Sequence, residues 1–484
     1  MSPAAVLLTI AAYMAVLFAV AFRTGRRTDN AGFFVGNRRS PWFAVAFAMI
    51  GAAMSGVTFV SVPGMVIGSG FSYLQMALGF VCGYLVIAFL LIPLFFRLQI
   101  VSIYEYLDHR FGSFSYRTGA WFFFISKMLG AAVRIFLVCI VLQLLVFDPY
   151  HIPFWVNVAI TMLLVWLYTF RGGVRSLIWT DSLKTFCLLA SVVLSIVFIG
   201  RALGLDLGDM VRTVSDHDYS RTFFFDDVND RRYFFKQFLA GIFTVIAMTG
   251  LDQDMMQRSL SCKNGRDAQK NLVLSGTLQF FVILLFLSLG VLLCLYAERA
   301  GIALPTRSDD LFPTIATRSG LPLIVGILFV LGLISSTWSA AGSALTALTT
   351  SFTVDILRAP TRADERQLTR IRQRVHAGMA VAMFGVILLF QALNNTSVID
   401  AVYTLASYTY GPILGLFAFG ILTKRKVHDR WIPLVALLSP LICFILQRNS
   451  ERWFGGYSFS YELLILNALL TMLGMALLIK RKKA

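Results

Sequence analysis

Charged side chains are few within, or at the end of, the long apolar stretches of this sequence. Lys127, Arg134, Asp181, Lys184 and Asp252 are the candidates among them for chemistry. A charge among apolar side chains is costly, so it usually serves binding or transport, or it pairs with an opposite charge or a backbone carbonyl. Lys127 and Arg134 are seven residues apart and would share one helix face, whereas Asp181 and Lys184 are one turn apart and would form a structural pair. These residues are therefore candidates for binding an ion or a charged solute, with internal pairing as the alternative.

Two further stretches have compositions that favour an interrupted helix. AMIGAAMSGVTFVSVPG (48–64) concentrates Gly and Pro, and GLISSTWSAAGSALTALTTSFTVDI (332–356) repeats Ser and Thr at helical spacing. Backbone groups freed inside a membrane must face protein, water or an ion. Carbonyls of a broken helix and hydroxyls of a facing helix are the usual Na⁺ ligands of transporters. We therefore expect both stretches to unwind around an ion, while close helix packing is the alternative use of small residues.

Thirteen long apolar stretches account for most of the chain. A helix needs about 20 mostly apolar residues to cross ~30 Å of hydrocarbon. The stretches are 3–22, 41–67, 72–96, 118–147, 152–170, 174–200, 237–257, 271–297, 319–354, 375–393, 397–423, 431–447 and 458–479. A content of 58% hydrophobic and 14% charged residues would be extreme for a soluble globular protein. The sequence therefore predicts an all-α polytopic membrane protein in a lipid bilayer.

Lysine and arginine are concentrated in alternate loops. The loops 23–40, 97–117, 171–175, 258–270, 358–374 and 424–430, with the KRKK tail, contain 28 of the 42 Lys and Arg residues. Such an excess is typical of cytoplasmic loops. We predict a multi-pass protein of the cell (inner) membrane with its N-terminus outside and its C-terminus in the cytoplasm. This distribution, rather than nucleic-acid binding, explains the net charge of +17.

A polytopic membrane enzyme or a receptor is the alternative from a different functional class. Intramembrane enzymes gather His, Asp or Glu on facing helices, whereas the five His residues here are scattered over loops and span ends. The six Cys residues show neither a disulfide pattern nor metal-ligand spacing. The longest polar segment, about 201–236, mixes Asp with Phe and favours an interfacial segment over a substrate gate. We therefore predict a carrier and not an enzyme.

Six strings follow the order of a known family's motifs. They are AAMSGVTFVSVPG, SIYEYLDHRFG, GGVRSLIWTD, TGLDQDMMQRSLSCKNGRDAQK, SAAGSALTALTTSFTVDI and YGPILGLFAFGILTKR. Together they resemble the sodium/solute symporter family, which includes bacterial proline, galactose and sialic acid symporters and animal glucose and iodide carriers. The resemblance implies a secondary active transporter that couples uptake of a small organic solute to Na⁺ by alternating access, with no oligomer required.

The resemblance also implies an architecture. A single transporter domain (1–484) would have about 13 transmembrane helices around a five-plus-five inverted-repeat core. The repeats would cover about 41–200 and 237–423, with a peripheral span at 3–22 before them and two peripheral spans within 431–479 after them.

A sodium site is part of the same resemblance. Alignment on the M-S-G string places Gly51 and Met54 at backbone carbonyl ligands of the broken helix. Counting back from the T-x-D end of the facing helix places Ser336 at a carbonyl ligand and Ser339 at the first of two hydroxyl positions. Asp181 falls on the family's aspartate near the sodium exit path.

The sequence departs from the family pattern at three positions. The second hydroxyl position is Ala340, which has no side-chain oxygen, so another ligand must replace it or the site is weaker, and a second sodium ion there is disfavoured. Ala53 stands where proline carriers have an aspartate, which disfavours proline. The position of the galactose carrier's glutamine falls near Thr404, so that carrier's hexose contacts are not reproduced.

The resemblance leaves the solute open between two chemistries. Ser55, Thr58 and Gln75 fall near positions that sialic acid carriers use for substrate binding, and Arg134 or Lys127 is the candidate partner of a substrate carboxylate. A buried cation beside hydroxyls favours an anionic sugar or a carboxylate. A neutral sugar or an amino acid is the alternative.

Overall fold

The computed structural model describes residues 3–25, 40–100, 102–170, 173–393 and 398–480. This part of the chain is almost entirely helical, and its two β-bridges, Ser40–Cys262 and Val427–Ile479, are isolated. In chain order the α-helices are α1 (Pro3–Gly25), α2 (Trp42–Ala53), α3 (Gly56–Ser69), α4 (Ser72–Val86), α5 (Ile92–Leu98), α6 (Glu105–Arg110), α7 (Ser113–Leu142), α8 (Phe154–Thr169), α9 (Gly173–Ala202), α10 (Leu207–Asp216), α11 (Phe234–Val245), α12 (Gln253–Leu260), α13 (Gly265–Arg299), α14 (Leu311–Arg318), α15 (Leu323–Ser351), α16 (Glu365–Leu393), α17 (Val398–Leu422), α18 (Ile432–Trp453) and α19 (Leu463–Leu477).

Helix lengths and compositions confirm a polytopic membrane protein. Within the described residues, eight helices are long and apolar enough to cross a membrane, and two bent helix pairs raise the number to ten if each is one span. The shorter apolar helices Ala4–Val20, Phe154–Thr169 and Leu463–Leu477 coincide with three further predicted stretches. The total of thirteen spans and the inverted repeats stay predictions.

The first bent pair is the interruption expected within 48–64. Helices α2 and α3 meet at 58°, and Met54 and Ser55 between them are extended, with φ/ψ of −87°/102° and −93°/174°. Gly51 and Gly56 flank the break at close approaches, because a Cβ there would overlap the hydroxyls of Thr185 on α9 and Thr337 on α15. The small residues therefore serve both the break and the packing around it.

The expected unwinding of 332–356 is wrong. Helix α15 runs without a break from Leu323 to Ser351 and continues into a π-helical turn. Its hydroxyls bond back to carbonyls of the preceding turn, as Ser336 does to Leu333 (2.8 Å) and Thr346 to Gly342 (2.9 Å). Because these hydroxyls donate to carbonyls of their own helix, their hydrogen-bonding requirement is met without opening the helix.

The second bent pair was not predicted. The segments Phe234–Gly250 and Gln253–Leu260 meet at 68°. The Asp252 carboxylate accepts a hydrogen bond from the Met255 N–H (3.1 Å) and so caps the N-terminus of α12. A helix is thus interrupted near the start of each proposed repeat.

Packing brings the two breaks together. Helix α2 contacts α9 and α13, α3 contacts α13, and α15 contacts α9 and α7. Ala52, beside the first break, and Met255, just after the second, line the same cavities. The polar centre of the molecule therefore lies between α2, α7, α12 and α15.

Candidate functional site: two helix breaks and the cavities between them

A cavity of about 90 Å³ lies beside the first break. Met54, Ser55 and Thr58 line it from the break, Arg134 from α7 and Gln279 from α13. No described residue hydrogen-bonds to the hydroxyls of Ser55 and Thr58, and the buried Oε1 atom of Gln279 is likewise without a partner. The cavity wall therefore offers hydroxyls and an amide oxygen to a ligand.

Arg134 is the cation exposed to this cavity. Its half-buried side chain also lines two smaller cavities, of about 20 and 30 Å³, on neighbouring sides of α7. Among the described residues it has neither an ion pair nor a hydrogen bond. A guanidinium in this position is available to an incoming anion.

Lys127, the other predicted cation of α7, is neutralised within the protein. Its Nζ atom lies 2.7 Å from an Asp254 oxygen and 3.2 Å from an Asp252 oxygen, and all three side chains are buried. The Tyr410 hydroxyl donates a further hydrogen bond to Asp252 (2.5 Å). The geometry matches the internal-pairing alternative for Lys127.

Arg258 extends these contacts into a buried cluster. Its guanidinium donates to an Asp181 oxygen (2.9 and 3.0 Å), to Asp254 (2.7 Å) and to the hydroxyl of Ser343. We call Lys127, Asp181, Asp252, Asp254 and Arg258 the charge cluster. It joins α7, α9 and α12, and through Ser343 it reaches α15.

The predicted sodium ligands lie around the first break. Gly51 is in the last turn of α2, where helix carbonyls lack intrahelical donors, Met54 is at the break, and Ser336 faces Gly56 from α15. The side chain of Ser339 lies outside the described part of the structure. The buried Thr337 hydroxyl, which a Cβ on Gly56 would touch, has no partner among the described residues. Such oxygens suit a hard cation such as Na⁺.

Asp181, the fifth predicted ion-binding residue, is placed differently. Its side chain is fully buried and paired with Arg258. The contacts with Arg258 are made by one carboxylate oxygen, Oδ2, and Asp181 also lines the cavity of about 20 Å³. Its role on an exit path stays a prediction.

Gln75 is engaged by the backbone rather than open to a cavity. The fully buried side chain donates to the Arg232 carbonyl (2.8 Å) and accepts from the Phe224 N–H (3.2 Å). It therefore anchors the segment 221–233. A direct contact with substrate stays a prediction that this geometry does not favour.

A larger cavity of about 700 Å³, here called the vestibule, lies on the side that carries this segment. Tyr73 lines both the vestibule and the 90 Å³ cavity. Its hydroxyl is 2.7 Å from that of Tyr403, whose ring packs at a tilt of 48° against the ring of Tyr461, with the centroids 4.7 Å apart. The tyrosines separate the two cavities.

The family profile described as "Sodium:solute symporter family" matches residues 33–429, which is most of the chain. The chain belongs to the sodium:solute symporter family. Na⁺ is accordingly the coupling ion of this symporter. The expectation of a transporter rather than an enzyme is confirmed.

Similar proteins include animal and bacterial symporters. Human sodium-coupled monocarboxylate transporter 1 is 27% identical over an alignment that covers 86% of this chain and 68% of its own length. The sodium/sialic acid symporter NanT of Aliivibrio fischeri is 24% identical, with 89% and 86% covered. A Na⁺-coupled sialic acid symporter solved in a substrate-bound outward-open state matches with a TM-score of 0.83 at 18% identity, over 98% and 97% of the two chains. That likeness establishes the fold.

Sequence reasoning missed several residues of the candidate site. Asp254 and Arg258 belong to a polar string, DQDMMQR, at the end of the seventh stretch, and its N-cap aspartate was the available signal for a new helix start. Gln279, Thr337 and Tyr403 carry no such signal. The sequence around each of them is that of an ordinary apolar helix. Only the packing of the helices shows that their polar atoms point toward the breaks.

Proposed function

We propose that this symporter takes up a small organic anion, a sugar acid or a carboxylate, into the cytoplasm by alternating access. The observation that carries the proposal is the contrast between Arg134, which faces the cavity with no described partner, and Lys127, which two carboxylates neutralise. A substrate carboxylate would supply the missing partner, with the strength of a charge-assisted, bidentate pair. Ser55, Thr58 and Gln279 would orient the solute's remaining polar groups.

The charge balance supports the same solute class. Four buried or half-buried cations adjoin three carboxylates near the breaks, namely Lys127, Arg134, Lys184 and Arg258 with Asp181, Asp252 and Asp254. The ammonium of Lys184 is also without a hydrogen-bond partner among the described residues. An anion compensates this excess of positive charge, whereas a neutral solute leaves it unchanged.

Sodium would bind between the first break and α15. The carbonyls of Gly51, Met54 and Ser336 and the hydroxyl of Ser339 are the proposed ligands. The carboxylates of Asp181 and Asp254 line a small cavity together with Ala52 and Thr337, close to these ligands, but they are already occupied by internal cations. We also propose that the vestibule side faces outward, as the distribution of Lys and Arg predicts.

The test is uptake into proteoliposomes that contain the purified symporter. An imposed Na⁺ gradient should drive accumulation of sialic acid, pyruvate or another small carboxylate, while a pH gradient alone should not. Transport of a neutral sugar that every anionic candidate fails to inhibit would overturn the anionic proposal. Equal uptake with only a pH gradient would contradict Na⁺ coupling.

A further inference from the structure

Helix α16 has one exposed face that runs from its charged start into its apolar part. Arg366, Arg370 and Arg374, here called the arginine face, lie there at a spacing of four residues, and all three are exposed. After them the exposed positions are occupied by apolar or small residues, namely Gly378, Val381, Gly385 and Leu389. Because residues three or four apart lie on the same side of a helix, the arginines and these residues share one side of α16.

The opposite face of α16 fixes this orientation. It packs against α7, α8 and α15, and its buried residues include Arg372, His376 and Met383. The two ring nitrogens of His376 are each 2.9 Å from a threonine hydroxyl, one of Thr169 on α8 and one of Thr349 on α15. These contacts fix the rotation of α16 about its axis. Its exposed face is therefore directed away from the protein and toward the surrounding lipid.

Helix length places the arginines at the edge of the hydrocarbon layer. The segment 375–393 contains no Asp, Glu, Lys or Arg. At about 1.5 Å per residue it is about 28 Å long, close to the ~30 Å thickness of the hydrocarbon. Arg374 then lies at the boundary, with Arg370 about 6 Å and Arg366 about 12 Å farther out. Since headgroups occupy about 5–7 Å on each side, Arg370 and Arg374 lie at the depth of lipid phosphates.

The charges of the arginine face are not compensated by the described residues, with which its three side chains form neither an ion pair nor a hydrogen bond. The neighbouring carboxylates are used elsewhere. Asp364 accepts a hydrogen bond from the Gln367 N–H (2.7 Å), and the charge of Glu365 acts on the buried Arg372. Like charges four residues apart destabilise a helix, so an anion bound from outside would stabilise this one.

We propose that this side of α16 binds an anionic phospholipid of the bilayer. Arg370 and Arg374 contact its phosphate, because a guanidinium can bind two phosphate oxygens at once, and Arg366 supports them from farther out. One acyl chain lies along the shallow surface at Gly378 and Gly385, where an added Cβ would meet no other group within 4 Å. Clusters of basic residues next to a membrane span are typical of sites for anionic lipids.

Binding of phosphatidylglycerol to the purified symporter in an uncharged detergent tests the site. In native mass spectrometry, wild-type protein should retain phosphatidylglycerol in preference to phosphatidylcholine, and phosphatidylglycerol should raise the apparent Tm. Arg370→Gln/Arg374→Gln should weaken its binding about 25-fold, at about fivefold for each arginine near a membrane surface. Without lipid, this variant should keep the wild-type Tm, because neither side chain has a described partner. Arg370→Lys/Arg374→Lys should lose only a fewfold.

The matched control is Arg212→Gln/Arg266→Gln, which removes the same charge from exposed positions on α10 and α13 and should leave the lipid preference unchanged. Gly378→Leu/Gly385→Leu should weaken retention of phosphatidylglycerol a fewfold with the arginines intact, because the new side chains occupy the surface for the acyl chain. If glycerol 3-phosphate raises Tm as the lipid does, the site binds a free anion and the proposal is overturned. Equal retention of both lipids, or an equal loss in the control variant, would also overturn it.

Discussion

The two helix breaks use polar groups in opposite ways. At the first break, between Ala53 and Gly56, the polar groups are backbone carbonyls and hydroxyls, and those of Ser55 and Thr337 have no described partner. At the second break, Lys127 binds the carboxylates of Asp252 and Asp254, and Arg258 of the same helix α12 also binds Asp254. One break is left open to ligands, whereas the other is satisfied internally. Burial of charge is therefore not by itself a sign of a binding site.

The largest expected effect is on the stability of the closed break. Asp254→Asn removes a carboxylate that pairs with both Arg258 and Lys127 in a buried site. Breaking a buried ion pair lowers the free energy of unfolding by about 3–5 kcal/mol. We expect a marked fall in the apparent Tm of the purified protein. Adding Lys127→Gln should recover part of the loss, because residues of one network are not additive. Asp226→Asn, which breaks an exposed pair with Arg221, is the control. An Asp254→Asn variant as stable as this control would contradict the proposed role of the cluster.

A smaller effect, confined to ion dependence, is expected at the open break. Ser339→Ala should raise the Na⁺ concentration for half-maximal transport, since a lost oxygen ligand is worth about 1–3 kcal/mol on the scale of a charged hydrogen bond. Ala340→Ser should lower that concentration by restoring a hydroxyl. Surface expression should stay unchanged in both variants. If neither variant shifts Na⁺ dependence, the register that places Ser339 and Ala340 on the ion is wrong.

The smallest effects are expected from the single hydroxyls of the cavity. Ser55→Ala and Thr58→Ala should each weaken substrate binding a fewfold, consistent with about 0.5–1.5 kcal/mol for a neutral hydrogen bond, and leave Tm unchanged because neither hydroxyl has a described partner. Competition binding at saturating Na⁺ measures this. A loss of Tm instead of affinity would place these hydroxyls in the packing.

The first break could be predicted from sequence because its signal is local. Gly and Pro within 48–64 weaken the helix, and the M-S-G string fixes the position. The corresponding prediction of an interruption in 332–356 was wrong, because Ser and Thr hydroxyls there donate hydrogen bonds to carbonyls of their own helix. Composition therefore predicts interruption best when the backbone itself is weakened.

The charge cluster as a whole could not be predicted because, apart from Asp254–Arg258 within α12, its ion pairs join distant parts of the chain. Asp181 and Arg258 lie on different helices, and Lys184, one turn from Asp181, looked like the nearer partner. Gln75 was likewise assigned to the substrate from its position in the chain, but packing turns it toward the segment 221–233. Local spacing determines which residues share a face and not which face meets another helix.

The most direct test of the open break is whether Arg134 recognises a carboxylate. Na⁺-dependent binding of a transported acid and of its methyl ester should be compared in wild-type protein and in Arg134→Gln. We expect the wild-type protein to prefer the acid by about tenfold to a hundredfold, as a charge-assisted hydrogen bond implies. We expect Arg134→Gln to bind acid and ester equally and weakly, with Na⁺ binding retained. If Arg134→Gln still prefers the acid as strongly as the wild type does, the carboxylate binds elsewhere and the account of this site is contradicted.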